Sequence, residues 1–154
     1  METTKLYKEK ITCIDNAIEA LKQEKVELQQ NAKKSETSKG IENWVGFHFE
    51  SSSSLTEEFA SFAKDFKKYL SQQVKEVDFE IVNWSRGHFE VSGFLKHKTG
   101  QFIYFSTSDV RYFADSWYNN VLIRTAEHEK DYTGGSNNSC NFNAIAIKAI
   151  ALLN

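Results

Sequence analysis

The residues best suited to chemistry lie between positions 102 and 137. Phe102, Tyr104, Phe105, Tyr112, Phe113, Trp117 and Tyr118 supply rings, and Asp109-Val110-Arg111 and Arg124-Thr125-Ala126 supply charged forks. The run from Lys130 to Asn138 supplies a polar loop with the adjacent pair Gly134-Gly135. Rings stack on nucleobases, a guanidinium fork holds phosphate through paired hydrogen bonds, and Asp or Asn reads hydroxyls and base edges. Glycines ahead of a helix start let backbone N–H groups turn toward an anion. These types together point to a pocket for a small phosphorylated ligand. Arg111 and Arg124 would neutralise phosphate, and Trp117, Phe94 or Tyr112 would stack the base. Asp109, Asn120 and Asp131 would bond hydroxyls or base edges, with Gly134 and Gly135 as the pivots of the loop. The blander reading of each piece is that strand aromatics are core and a Gly-Gly is a turn.

The basic residues are divided along the chain. Lysine is abundant, with Lys5 to Lys75 filling the first half, whereas Arg86, Arg111 and Arg124 all fall in the second. A chain that solubilises itself with lysine and places arginine in one region needs a planar fork there, or carries ordinary arginines on strand faces. A second pattern is the repeated tripeptide His48-Phe49-Glu50 and His88-Phe89-Glu90. On strands, each copy puts His and Glu on one face and Phe on the other. Two such strands side by side could meet at a metal or serve a phosphodiesterase, although Glu50 and Glu90 stand where two-histidine phosphoesterases need a hydroxyl. The alternative is the polar face of a half-buried sheet, and no metal site is assigned. No Gly-x-Ser-x-Gly, paired Cys–His or phosphate loop occurs, so no catalytic residue and no cofactor is expected.

Asp109-Val110-Arg111, Leu122 to Ala126 and Lys130 to Asn137 together resemble small proteins of bacterial phages and mobile elements. Within that group, the plan of an N-terminal helix followed by an antiparallel sheet is similar to the phage Thoeris anti-defence family. The resemblance covers roughly residues 88–138. It implies a protein that sequesters a cyclic ADP-ribose-type signal, or a cyclic oligonucleotide, without cleaving it, in the cytoplasm of a bacterial host. Arg124 and Asp131 are the positions it would carry over first, and Phe94 after them. Two other readings stand beside it: an anti-CRISPR-type inhibitor acting by protein–protein contact, and a phosphodiesterase using the two His-Phe-Glu motifs.

The elements that must position these residues follow from periodicity. Tyr7, Ile11, Ile14, Ile18, Leu21, Lys25 and Leu28 recur at alternating steps of four and three, a coiled-coil seam with Ile11, Ile18 and Lys25 at a and Tyr7, Ile14, Leu21 and Leu28 at d. A helix over 5–31 is expected to join copies of the chain, because about three heptads are marginal alone. Residues 32–40 read as a polar linker. Residues 41–50 alternate and read as a strand. Ser54 and Glu57 form a capping box for a helix to about Val74, with Leu55, Phe59, Phe62, Phe66 and Tyr69 or Leu70 on its apolar face. Strands are expected at 77–81, 88–95, 101–106 and 121–126, with Gly100 in a hairpin turn. A loop spans Glu127 to Asn143, and a short helix capped by Asn141 or Asn143 ends the chain. The fold class is α+β: an N-terminal coiled-coil-like helix (1–34), then a domain (41–154) with an antiparallel sheet of about five strands, one long helix and a short C-terminal helix.

The bulk numbers fit a single such domain with an appendage. The chain has 154 residues, 21 aromatics and a formal charge of -2. That charge gives no reason to expect strong nucleic-acid binding. Cys13 and Cys140 are too few for a zinc site or a disulfide framework. No run is apolar enough to span a membrane, and Met1 to Lys10 does not read as a leader. Proline is absent, so Ser, Asn and Gly set every boundary. The 127–143 loop must therefore be held by packing, partners or ligand, and its ordering on ligand binding is expected.

Overall fold

The computed structural model of the chain describes residues 1–111 and 121–153, residues 33–39 by backbone alone. Residues 1–36 and 37–154 form two compact units. The first is built on α1 (Glu2–Glu42), which continues through the stretch read as a linker. That stretch lacks an apolar period, but it also lacks proline and holds glycine only at its end, so nothing in its backbone chemistry breaks a helix. Along α1, Tyr7, Ile11, Ile14, Ile18, Leu21 and Leu28 all stay exposed, between 45% and 64%.

In the second unit, α2 (Glu57–Lys75) lies on a five-stranded antiparallel sheet. Thr56 caps α2, its hydroxyl accepting the Phe59 N–H at 3.5 Å, and Glu57 and Glu58 complement the positive end of the helix dipole. The cap is thus Thr56 and not Ser54. Leu55 falls outside the helix and is 94% exposed, because the helix starts two residues beyond it. From the cap onward the apolar period holds: Phe59, Phe62, Phe66, Leu70 and Val74 are buried.

The sheet is a meander of β1 (Phe79–Arg86), β2 (Val91–His97), β3 (Phe102–Thr107), β4 (Val121–Ala126) and β5 (Asn138–Cys140), in sequence order. Leu95, Ile103, Phe105, Val121 and Ile123 belong to the core cluster beneath α2, Ile81 packs against it half-buried, and the alternate residues point the other way. A single 3-10 turn (Phe142–Ala144) leads into α3 (Ile145–Ala151). Asn141 precedes that turn but makes no side-chain cap. The Phe66 ring lies 4.3 Å from that of Phe142 and 5.6 Å from that of Trp84, so one side chain joins α2, the sheet and the C-terminal turn.

Two strand expectations change. Residues 41–50 are not a strand: Ile41 and Glu42 complete α1, Asn43 to Gly46 turn, and His48 makes only an isolated bridge. The alternation there comes from rings packed in a turn. Trp44 contacts Phe47 at 4.8 Å and stacks on Phe49 at 5.7 Å, and its indole N–H donates to Asp65 at 2.7 Å. The fifth strand lies instead inside the expected loop, where Val121 and Leu122 pair with Cys140 and Ser139. β2 begins at Val91, not His88, because β1 runs on to Arg86 and residues 87–90 form the connection.

Candidate functional site

The structure sorts the candidate residues into two places. The first lies where β1, β2 and β3 meet their connections. Asp109, Val110 and Arg111 follow β3, and the two His-Phe-Glu motifs flank them. The Val110 N–H donates to the Phe89 carbonyl at 2.8 Å, and the Phe49 N–H donates to the Arg111 carbonyl at 2.9 Å. The Phe49 and Phe89 rings come within 5.6 Å of each other and both are buried, as is Val110. The repeated motif therefore brings its phenylalanines together in the core and leaves His48, Glu50, His88 and Glu90 exposed. Phe89 has φ +53, a left-handed conformation that is uncommon for a bulky residue and is held here by the burial of its ring.

Above these rings sits an ion pair. Nε and Nη2 of Arg111 donate to the Asp109 carboxylate, the shortest contact being 2.6 Å, and the Asp109 carboxylate also accepts the Arg111 backbone N–H at 2.9 Å. The guanidinium lies 5.2 Å over the Phe89 ring. The side chains of Arg111 and Asp109 are 36% and 40% exposed, so solvent reaches both. The hydrogen bond from Arg111 holds the Asp109 carboxyl below its ordinary range, and the charge of His88 adds to this. A guanidinium held over a ring, with its carboxylate in contact with water, can exchange that carboxylate for a phosphate oxygen.

The second place is the face of the sheet turned away from α2. Phe94, Tyr104 and Arg124 occupy successive partner positions on β2, β3 and β4. The 127–138 loop folds back over them. Tyr132 meets Phe94 at 5.3 Å and Tyr104 at 5.9 Å, and Phe94 is fully buried. Arg124 is only 4% exposed: its guanidinium lies 4.5 Å over the Tyr104 ring and donates to the Gly134 carbonyl. The Asp131 carboxylate accepts the backbone N–H groups of Glu127 (2.9 Å), Thr133 (3.1 Å) and Gly134 (2.7 Å). Those bonds hold its carboxyl below the ordinary range. A side chain at position 134 would run into Asp131. One at 135, where φ is +74, would run into the Thr125 carbonyl. Glycine is required at both for close approach of the backbone.

No protein-family model, curated protein or solved structure matches this chain.

Of the expected site residues, Asp109 and Arg111 come together at the sheet end. Phe94, Arg124, Asp131, Gly134 and Gly135 gather beneath the folded-back loop. Trp117, Asn120 and Tyr112 lie outside the described residues. The three arginines do not gather around one cavity: Arg86 ends β1 and is exposed, Arg111 pairs with Asp109, and Arg124 is buried. Arg124 and Asp131 are engaged with their own loop, so packing and hydrogen bonds within the chain hold it. Among the described residues, no group of three or more His, Cys, Asp and Glu could hold a metal ion. No helix among them is long and apolar enough to cross a membrane.

Sequence reasoning missed several residues that shape these places. Asn83 sits at φ +51 in a β1 irregularity, and its amide donates to the Glu129 carbonyl (2.7 Å) and the Tyr132 hydroxyl (3.3 Å). An asparagine inside a strand of Ile, Val and Trp was the available signal, because it disfavours strand interiors and tolerates positive φ. Thr107 is buried and accepts the Val91 N–H at 2.9 Å, which ties β3 to the start of β2 beside Phe89.

Proposed function

We propose that the chain is a non-catalytic binding protein that works as an assembly of copies joined through α1. The observation that carries this reading is the apolar seam of α1, exposed along its length in a unit with no core of its own to cover it. A helix of this kind is built for a contact with another helix. The finer part of the proposal concerns the ligand: a phosphorylated nucleotide signal, of the cyclic ADP-ribose or cyclic oligonucleotide class, taken up intact at the sheet end bearing Asp109 and Arg111. Its support is the partly exposed guanidinium laid over Phe89, together with the sequence resemblance to a family of signal-sequestering proteins. Binding without turnover needs only fixed contacts and no activated water.

The test is to incubate the protein with a panel of cyclic nucleotides, separate it from free ligand, and release what is bound by heat. Intact ligand, recovered from the wild type and lost in Arg111→Ala, is the expected result. Cleaved ligand would make the protein an enzyme, and no uptake of any panel member would remove the ligand part of the reading. A second reading, inhibition by protein–protein contact, is favoured by the exposed Leu55, Ile147 and Ile150. It predicts that charged substitutions at those positions abolish function while nucleotide uptake is absent.

A further inference from the structure

We infer that the solvent face of α2 is a docking surface for a single strand of nucleic acid, held by its phosphate backbone. None of its residues belongs to the ligand site proposed above, so the two readings stand or fall separately. Three observations carry it. The first is how charge is sorted. Between positions 60 and 75 the exposed residues of α2 are four lysines, Lys64, Lys67, Lys68 and Lys75, and otherwise alanine and serine. The one carboxylate in that span, Asp65, is half-buried and accepts the Trp44 indole N–H at 2.7 Å. The other acids of the element stand at its ends, at Glu57, Glu58 and Glu76. Like charges three and four positions apart repel on a helix surface. On α1 acid is interleaved with base, and Lys22 reaches Glu19 at 3.9 Å. On α2, Lys64, Lys67 and Lys68 stand at those same spacings with no carboxylate to separate them. Lys64, Lys68 and Lys75 make no ion pair among the described residues.

The second observation is the line these lysines make. At 3.6 residues per turn, Lys64, Lys68 and Lys75 fall within about 40° of one another around the helix and span about 16 Å of its axis. A row of that length meets several successive phosphates of one strand. An ammonium on a flexible stem is a point charge, suited to a backbone that carries no sequence information. The small side chains between the lysines leave room for that backbone to come close. The whole chain carries a charge of -2, so the row acts locally, within the roughly 10 Å over which charges are felt in 0.1 M salt.

The third observation is a ring beside the row. Trp84, half-buried on the edge strand β1, packs against the buried rings of Phe66 (5.6 Å) and Phe105 (6.1 Å). The exposed Lys67 sets its Nζ 5.6 Å over the indole. A base stacking on that indole would release Lys67 to a phosphate, and the exposed Arg86 extends the cationic edge at the end of β1. An acidic polypeptide could use the lysines but has no base for the ring, which decides for nucleic acid.

The test measures binding of the full chain to a labelled oligothymidylate by fluorescence anisotropy across a range of salt. Four phosphate contacts on a single strand predict that log affinity falls against log salt with a slope of about -3. Lys64→Glu with Lys68→Glu is expected to weaken binding at least about tenfold. Reversing two exposed lysines away from α2, Lys96→Glu with Lys130→Glu, is expected to leave it within about twofold. An abasic strand of the same length and a polyglutamate are both expected to bind more weakly than the oligothymidylate. No binding at low salt would overturn the inference. Equal losses in the two double variants would overturn the row as its seat. An abasic strand held as tightly would overturn the role of Trp84, and polyglutamate held as tightly would make the partner an acidic protein. Tighter binding of a duplex would overturn the assignment to a single strand.

Discussion

α1 and α2 are both amphipathic helices, and the difference between them lies in what covers the apolar face. On α2, Phe59, Phe62, Phe66, Leu70 and Val74 are buried beneath the sheet and the C-terminal turn. On α1, the Ile and Leu residues at seam positions are about half exposed or more. The α2 stripe is wide and aromatic, suited to a flat sheet. The α1 stripe is narrow and aliphatic at heptad spacing, suited to another helix. Stripe width therefore separates a helix that completes the domain from one whose apolar face the chain leaves exposed, the face that the proposed assembly would cover. The two arginine sites divide in the same way: Arg124 is buried in the service of its own loop, while Arg111 stays in contact with water.

Substitutions made in pairs sharpen this comparison. The largest effect is expected in the helix pair. Phe66→Ala removes a ring packed against Phe142 and Trp84, and should cost about 3–5 kcal/mol of domain stability. Leu21→Ala should change that stability by no more than about 0.5 kcal/mol. Denaturant unfolding followed by tryptophan fluorescence reads both, and equal losses would break the distinction. Next come the arginines. Arg124→Ala takes a donor from the Gly134 carbonyl and a cation from the Tyr104 face, with an expected loss of about 1–3 kcal/mol. Arg111→Ala, in a partly exposed pair, should cost less than about 1 kcal/mol.

Acid should act on the loop. The Asp131 carboxyl is depressed in the folded protein, so its contribution is complete above the ordinary carboxylate range. That contribution is lost as pH falls through the depressed value. Amide exchange at Gly134 and Thr133 should therefore accelerate at the acid end, and Asp131→Asn should remove that pH dependence. Unchanged protection in acid would show that the loop is held by Tyr132 and Arg124 without Asp131. The smallest effect concerns the thiols. Cys13 is exposed, whereas burial pushes the Cys140 thiol up to about 11. An alkylating reagent near neutral pH should modify Cys13 first and reach Cys140 only on unfolding.

Much of this architecture is legible in the sequence, for reasons that differ by element. The α2 stripe, β3 and β4 could be read because each buries one face and so repeats an apolar period. Residues 41–50 misled because Trp44, Phe47 and Phe49 pack in a turn whose spacing imitates a strand. β5 gave no signal: Asn138-Ser139-Cys140 is short and carries no apolar alternation, and only its pairing with Val121 to Ile123 makes it a strand. The burial of Arg124 and Phe94 was invisible for a similar reason. Both face away from α2, and what covers them is Tyr132, brought back by a loop whose path depends on Asp131, Gly134 and Gly135. The helix over 5–31 was legible because heptad spacing is local, whereas its continuation to Glu42 was not, because 32–40 carries no apolar period.

The measurement that bears most directly on α1 as the joining element is the molar mass in solution of the wild type beside Leu21→Asp, by light scattering. The wild type is expected at two or more times the 17.7 kDa chain mass, and the variant, with a carboxylate at a central d position, at the chain mass itself. Equal masses for the two proteins would contradict the account.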